Sequence, residues 1–233
     1  MKPAVFVGPT LWDDAIQRSE DVAWLPPARE GDVYRITRER PAAIGLIDGR
    51  FETCPAVWHK EILWALAQGI PVYGSASMGA LRAVELSRFG MIGVGAVYEK
   101  FRSGELQDDD EVALLHAPED LGYRPLSEAM VDIRATLAAA KAAEIISPLT
   151  AESLINFAKS LFFKERTWTA LLAHPSAPRT LRPELRRLAR WLPDNMVEQK
   201  RRDALAMILT MREHLAAGSS PFHPSFAFQD PEN

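Results

Sequence analysis

Apolar and polar residues alternate in a way that splits the chain in two. In the first half, short apolar runs end in small-residue turns and are followed by stretches of helical period. Ala4–Val7 is one such run, ending in Gly8-Pro9-Thr10. Val22–Leu25 is a second, closed by Pro26-Pro27. Ala42–Ile47 is continuously apolar, as a strand buried on both faces should be, and Asp48-Gly49 follows it. Ile70, Val72 and Tyr73 open another strand, which leads through Gly74-Ser-Ala-Ser-Met-Gly79 into the helical Ala80–Leu86. Between these strands the pattern predicts helices from Asp13 or Asp14 to Ser19, over Gly31–Arg40 and over Ala56–Gln68. Phe89–Gly95 is glycine-rich and apolar without a clear period, and a helix follows over Gly95–Arg102. Val112–Leu115 reads as a further strand.

From Leu126 the period is helical throughout: Leu126–Ala143, Pro148–Phe163, Glu165–Ala173, Pro183–Trp191 and Pro193–Ala217. The expected fold is therefore α/β, a mostly parallel doubly wound sheet in the N-terminal half with a helical C-terminal half. The expected division is an α/β core over 1–124, a helical region over 125–217 that caps or flanks it, and a loosely held tail over 218–233.

In a parallel sheet of this kind a ligand site lies beyond the carboxyl ends of the strands. Three turns fall on that edge: Gly8-Pro9-Thr10, Asp48-Gly49 and Ser75-Ala76-Ser77. The last carries the most chemistry. A serine between strand and helix exposes its hydroxyl at the sheet edge, and the following N–H, here that of Met78, faces the place where an oxyanion forms. Ser77-Met78-Gly79 supplies half of a G-x-S-x-G elbow, with Ser75 where the pattern has Gly. Gly74 and Gly79 allow close backbone packing, and Gly8 or Thr10 would be a second oxyanion donor. The bland reading is a small-residue turn, or an anion-binding helix mouth with no covalent chemistry.

A serine needs a base. His59 and Lys60 begin the helix that leaves the Asp48 strand, on the same edge. His59 is one candidate, because an imidazole changes charge near neutral pH. Lys60, in a Ser–Lys pair, is the other. Asp48 would orient His59 or hold a ligand hydroxyl, or simply shape its turn. Arg82, early in the helix after Ser77, is a candidate for an anionic group. The run Asp108-Asp109-Asp110-Glu111 has no EF-hand spacing and reads as a solvated loop, with Asp109 and Glu111 the two placed to line a site.

Composition narrows the classes. The chain has 233 residues, 47% of them hydrophobic, enough for a substantial core. Its net charge of -4 argues against a broad nucleic-acid footprint. A single cysteine, Cys54, excludes an internal disulfide and a cysteine metal cluster, and no metal or other cofactor is expected. No apolar run is long enough to span a membrane and no signal-peptide pattern is present, so the expected setting is cytoplasmic.

Several of these segments together carry a resemblance. They are Val7-Gly-Pro-Thr-Leu11, Ile47-Asp-Gly49, Val57-Trp-His-Lys-Glu-Ile62, Tyr73–Ala83, Phe89-Gly-Met91, Asp109-Asp-Glu-Val-Ala113 and Tyr123–Met130. In this order the chain resembles the TfuA-like family over roughly Phe6–Arg134, with no matching motif after about Ile146. The resemblance implies a place beside YcaO proteins, ATP-dependent enzymes that activate a peptide amide. It implies sulfur delivery for backbone thioamidation, by hydrolysis of a thiocarboxylated, ubiquitin-like (ThiS-like) sulfur-carrier protein to sulfide, and stimulation of the YcaO partner. A non-catalytic adaptor that binds the YcaO enzyme and recruits the sulfur donor is the alternative.

Overall fold

A computed structural model describes residues 1–13, 19–50, 54–174, 178–218 and 226. Five parallel strands form one sheet: β1 (Ala4–Phe6), β2 (Ala23–Leu25), β3 (Ile44–Leu46), β4 (Val72–Ser75) and β5 (Ile92–Val94), in the order β2-β1-β3-β4-β5. The N-terminal half is thus the expected parallel α/β sheet, and the region after it is helical. The three central strands are buried on both faces, which is why β1 and β3 read as unbroken apolar runs. The two edge strands are half-buried.

Among the described residues, four helices lie within the strand-bearing part: α1 (Asp32–Arg38), α2 (His59–Ala67), α3 (Met78–Leu86) and α4 (Ala96–Arg102). Five more follow: α5 (Met130–Ala142), α6 (Pro148–Ser160), α7 (Trp168–Ala173), α8 (Arg182–Trp191) and α9 (Gln199–Ala216). The helix expected to start at Asp13 or Asp14, and nearly all of the expected tail, lie outside the described residues.

The chain forms two compact units. One holds Met1–Gln107, Glu119–Tyr123 and the chain from Lys200; the other holds Asp108–Pro118 and Arg124–Gln199. The sequence pattern grouped α9 with the helical half, whereas the structure packs it on the sheet. Ala204, Met207, Ile208 and Met211 share one core with Val5, Val7, Leu11, Ile47 and Tyr73. Gly45 makes room for this. It lies in register between Val5 and Tyr73, and a Cβ there would stand 2.9 Å from the Met207 terminal methyl. The Tyr73 hydroxyl meets His214 Nδ1 at 2.9 Å.

Two local readings are corrected. β5 forms inside Phe89–Gly95, where three glycines dilute the strand pattern. Tyr98 occupies the space that a Gly93 side chain would need. Val112–Leu115 is not a strand. A 3-10 turn over Asp109–Glu111 precedes it, and the only pairing nearby is an isolated bridge between His116 and Pro125.

Candidate functional site

The strand order reverses between β1 and β3, so the crevice of a doubly wound sheet belongs at their carboxyl ends. All three expected turns lie on this edge, and they behave differently.

The Gly8–Thr10 turn is closed by Asp48. One carboxylate oxygen accepts the Gly8 N–H at 2.9 Å and the Thr10 N–H at 3.0 Å. The other accepts the Thr10 hydroxyl at 2.6 Å. Asp48 is 1% exposed. Its two oxygens accept three hydrogen bonds, so this buried polar group is satisfied within the fold. Gly8 and Thr10 therefore present no open donors to an oxyanion in this structure, and Asp48 orients the turn rather than His59. Gly8 must lack a side chain, since a Cβ would overlap Pro27.

The turn after β4 is built for close approach. A Cβ at Gly79 would fall on the Leu46 carbonyl, and one at Gly74 on the Gly79 carbonyl. Glycine at both positions lets the mouth of α3 sit directly against β3 and β4. The Gly79 N–H donates to the Ile47 carbonyl at 3.1 Å. Ala76 takes φ +64°, and the Ser77 N–H donates back to the Ser75 carbonyl at 2.7 Å. This is a three-residue γ-turn with a strained, left-handed centre. The strain falls on Ala76, one residue before the serine.

Ser77 is the N-cap residue of α3, yet its side chain makes no capping bond. N-cap serines ordinarily accept a helix N–H. No hydrogen bond to the Ser77 hydroxyl, nor from the Met78 N–H, is present among the described residues. Ser77 is 2% exposed. Next to it, the Ser75 hydroxyl is fully buried without a partner. The Met78 side chain packs on Gly49, where a Cβ would overlap its sulfur, and so links this turn to the end of β3.

The expected bases lie elsewhere. His59 and Lys60 are both exposed. His59 Nε2 meets Glu85 of α3 at 2.8 Å, and no hydrogen bond joins His59 or Lys60 to Ser77. Arg82 is also committed: its Nε donates to the Val57 carbonyl at 2.9 Å and its Nη1 to Glu85 at 2.6 Å. Glu61, in the first turn of α2, accepts the N–H groups of Gly31, Tyr34 and Trp58, so it ties α1 to α2. A cavity of about 360 Å³ opens beside β1 and β2, lined by Phe6, Leu25, Pro27, Ile36 and Arg50 among others.

Sequence reasoning missed what α9 brings to this edge. Asp203 is 4% exposed and accepts the Val97 N–H at 2.7 Å, beyond the end of β5. Gly95 leaves the room for it. Lys200, one turn earlier on the same buried stripe, is 3% exposed. The available signal was polar residues on an otherwise apolar face: Lys200 and Asp203 in line with Ala204, Met207 and Met211.

The acidic run belongs to the other unit. Glu111 receives Arg134 in a fork, both bonds at 2.8 Å, and Lys159 at 3.1 Å. Arg166, 1% exposed, donates to the Asp110 carbonyl and carboxylate, and Lys159 bonds the same carboxylate. Burial raises the pKa of Asp110, but these cations outweigh it and hold the group below its usual value. Asp109 is exposed. Glu111 is thus an internal ion-pair residue. Among the described residues no cluster of His, Cys, Asp or Glu is arranged to hold a metal ion, and no helix is long and apolar enough to cross a membrane.

A family model described as TfuA-like protein matches residues 48–167. The match runs through α6, past the point where recognisable motifs stop. No protein of curated function matches the chain.

Proposed function

Since this chain belongs to the TfuA-like family, we propose that it serves a YcaO enzyme as a sulfur-delivery protein in peptide backbone thioamidation, hydrolysing a carrier-protein thiocarboxylate to release sulfide. Membership of the family is consistent with a YcaO-associated role. The catalytic reading is supported by one observation: a buried serine in the N-cap position whose hydroxyl does not cap the helix. It sits beside a helix-mouth N–H that is not used by the fold.

The chemistry needs little more. The Ser77 oxygen bonds to the thiocarboxylate carbon, forming a tetrahedral anion that the Met78 N–H and the N-terminal dipole of α3 stabilise. The C–S bond then breaks. The hydroxyl proton passes to the departing sulfur, which leaves as hydrosulfide, and water hydrolyses the Ser77 ester to carboxylate and free serine. Because the substrate's own sulfur takes the proton, this route does not require His59 or Lys60 to reach Ser77.

The test is sulfide release from a thiocarboxylated carrier. Ser77→Ala is expected to lower the rate at least about 100-fold while the thermal midpoint stays put. His59→Ala and Lys60→Ala are expected to change it less than about threefold. Sulfide release by Ser77→Ala at the wild-type rate would sink the serine mechanism. The adaptor reading, favoured by the pairing of His59 with Glu85 instead of Ser77, expects full support of the YcaO reaction from Ser77→Ala.

A further inference from the structure

α8 carries a charge pattern that the fold does not use. Five arginines fall between Arg179 and Arg190, in a chain whose net charge is -4. Its inner face is apolar, with Leu185 and Leu188 in the core of this unit. Its one acid, Glu184, is taken up at the start of α6, where it accepts the Ser147 N–H at 2.7 Å and hydroxyl at 2.9 Å. Arg187 reaches the Ile145 carbonyl at 3.1 Å. Arg179, Arg182, Arg186 and Arg190 are all exposed, and none forms an ion pair among the described residues. Like charges four apart destabilise a helix by about 0.2–0.5 kcal/mol per pair. Arg182, Arg186 and Arg190 have this spacing, so the row costs stability within its own unit.

The row borders a groove. A cavity of about 430 Å³ lies along α7 and α8, lined by Leu172, Ala173, Leu185 and Ala189, with His174, Arg182 and Arg186. We propose that this groove docks an acidic polypeptide segment that carries an apolar anchor residue. One helical turn sets the arginines about 6 Å apart, about 12 Å over the row. Alternate residues of an extended strand repeat at about 6.6 Å, so carboxylates on every second residue meet successive guanidinium groups. The apolar floor takes a side chain from between them. A nucleic acid is the poorer occupant: the His174 ring in the lining is already stacked on Phe157, with 4.1 Å between ring centroids, and the net charge of the chain opposes a dense polyanion.

This proposal is independent of Ser77, and so is its test. A labelled twelve-residue peptide with Glu at alternate positions and a central Leu is titrated with the full chain by fluorescence anisotropy. Saturable binding that weakens with salt is expected, reduced about tenfold or more in R182E/R186E. R182K/R186K is expected to lose only about two- to fivefold, because the charge remains and only the planar fork is lost. Arg38→Glu, an exposed charge reversal on α1, is expected to bind as wild type does. The substituted side chains are solvent-exposed, and a thermal midpoint no lower than that of the wild type confirms that each variant is folded. No saturable binding, undiminished binding by R182E/R186E, or equal binding of a single-stranded twelve-nucleotide DNA overturns the proposal.

Discussion

The turns after β1 and after β4 stand on the same edge of one sheet, and their backbones are used in opposite ways. After β1, the donors of Gly8 and Thr10 all converge on the Asp48 carboxylate. After β4, the hydroxyl of Ser75 is buried without a partner and that of Ser77 leaves its helix uncapped. The first turn is saturated, and its groups are worth most to the fold. The second retains polar groups that folding alone would have paired, at about 1–3 kcal/mol for each buried one. Strain at Ala76 adds to that cost. Small size alone does not separate these turns, since both are made of small residues. What separates them is whether a carboxylate arrives from elsewhere in the chain to consume the donors.

The sharpest attack on this contrast is Gly79→Ala. Its Cβ would land on the backbone carbonyl of Leu46, which no rotamer change can move. A loss of about 4 kcal/mol or more is expected, at the top of the range for one substitution. Urea unfolding reads it. A loss under about 1 kcal/mol would mean that the α3 mouth is not seated against β3 as described. Next comes Asp48→Ala, which strands two buried N–H groups and a hydroxyl, for about 3–4 kcal/mol. Asp48→Asn keeps one acceptor oxygen, and the Thr10 hydroxyl can rotate to accept from the new amide, so about 1–2 kcal/mol is expected. If alanine and asparagine cost the same, Asp48 is not the clamp of the first turn.

Glu128 shows what a half-buried carboxyl does when no such donors come. It precedes α5 in the other unit, and no hydrogen bond to its carboxyl is present among the described residues. Burial first, then the nearby charges of Asp132 and Glu198, push its pKa up to about 7. The folded chain holds that proton to higher pH than the unfolded chain does. Its stability therefore falls as pH rises from about 4.5 to about 7, by roughly 2–3 kcal/mol, and is flat beyond. Glu128→Gln is expected to remove that slope and to be the more stable form at pH 8, by chemical unfolding at several pH values. An unchanged slope in Glu128→Gln would assign the dependence to other groups.

Much of this was legible along the chain, for reasons particular residues make plain. Ala42–Ile47 announces β3 because a strand covered on both faces cannot carry polar residues. Gly74 and Gly79 announce a tight strand-to-helix turn because no side chain fits at either position. The use of Asp48 was not legible, because its partners lie 38 and 40 residues away and a turn Asp before Gly looks the same whether or not it holds a second loop. Nor was the destination of α9. Its apolar stripe says that it packs, not on what, and only Gly45, 162 positions before Met207, makes the landing place. Topology placed His59 near Ser77; in the structure its ring meets Glu85, in the last turn of α3 and away from the Ser77 end.

The smallest expected effect tests the comparison most finely. Ser75→Ala removes a hydroxyl that is buried without a partner and leaves the backbone of β4 as it is. At a saturated position such a change costs about 1 kcal/mol, because a made bond is lost. Here none is lost and a desolvated oxygen is removed, so stability should stay level or rise by up to about 1 kcal/mol. The same substitution should raise the KM for thiocarboxylate if the hydroxyl is held in reserve for a ligand at the mouth of α3, with kcat changed less. A Ser75→Ala chain that is destabilised by more than about 1 kcal/mol would show that its hydroxyl already serves the fold. The two turns would then differ only in the identity of their partners, and the case for chemistry at this edge would rest on Ser77 alone.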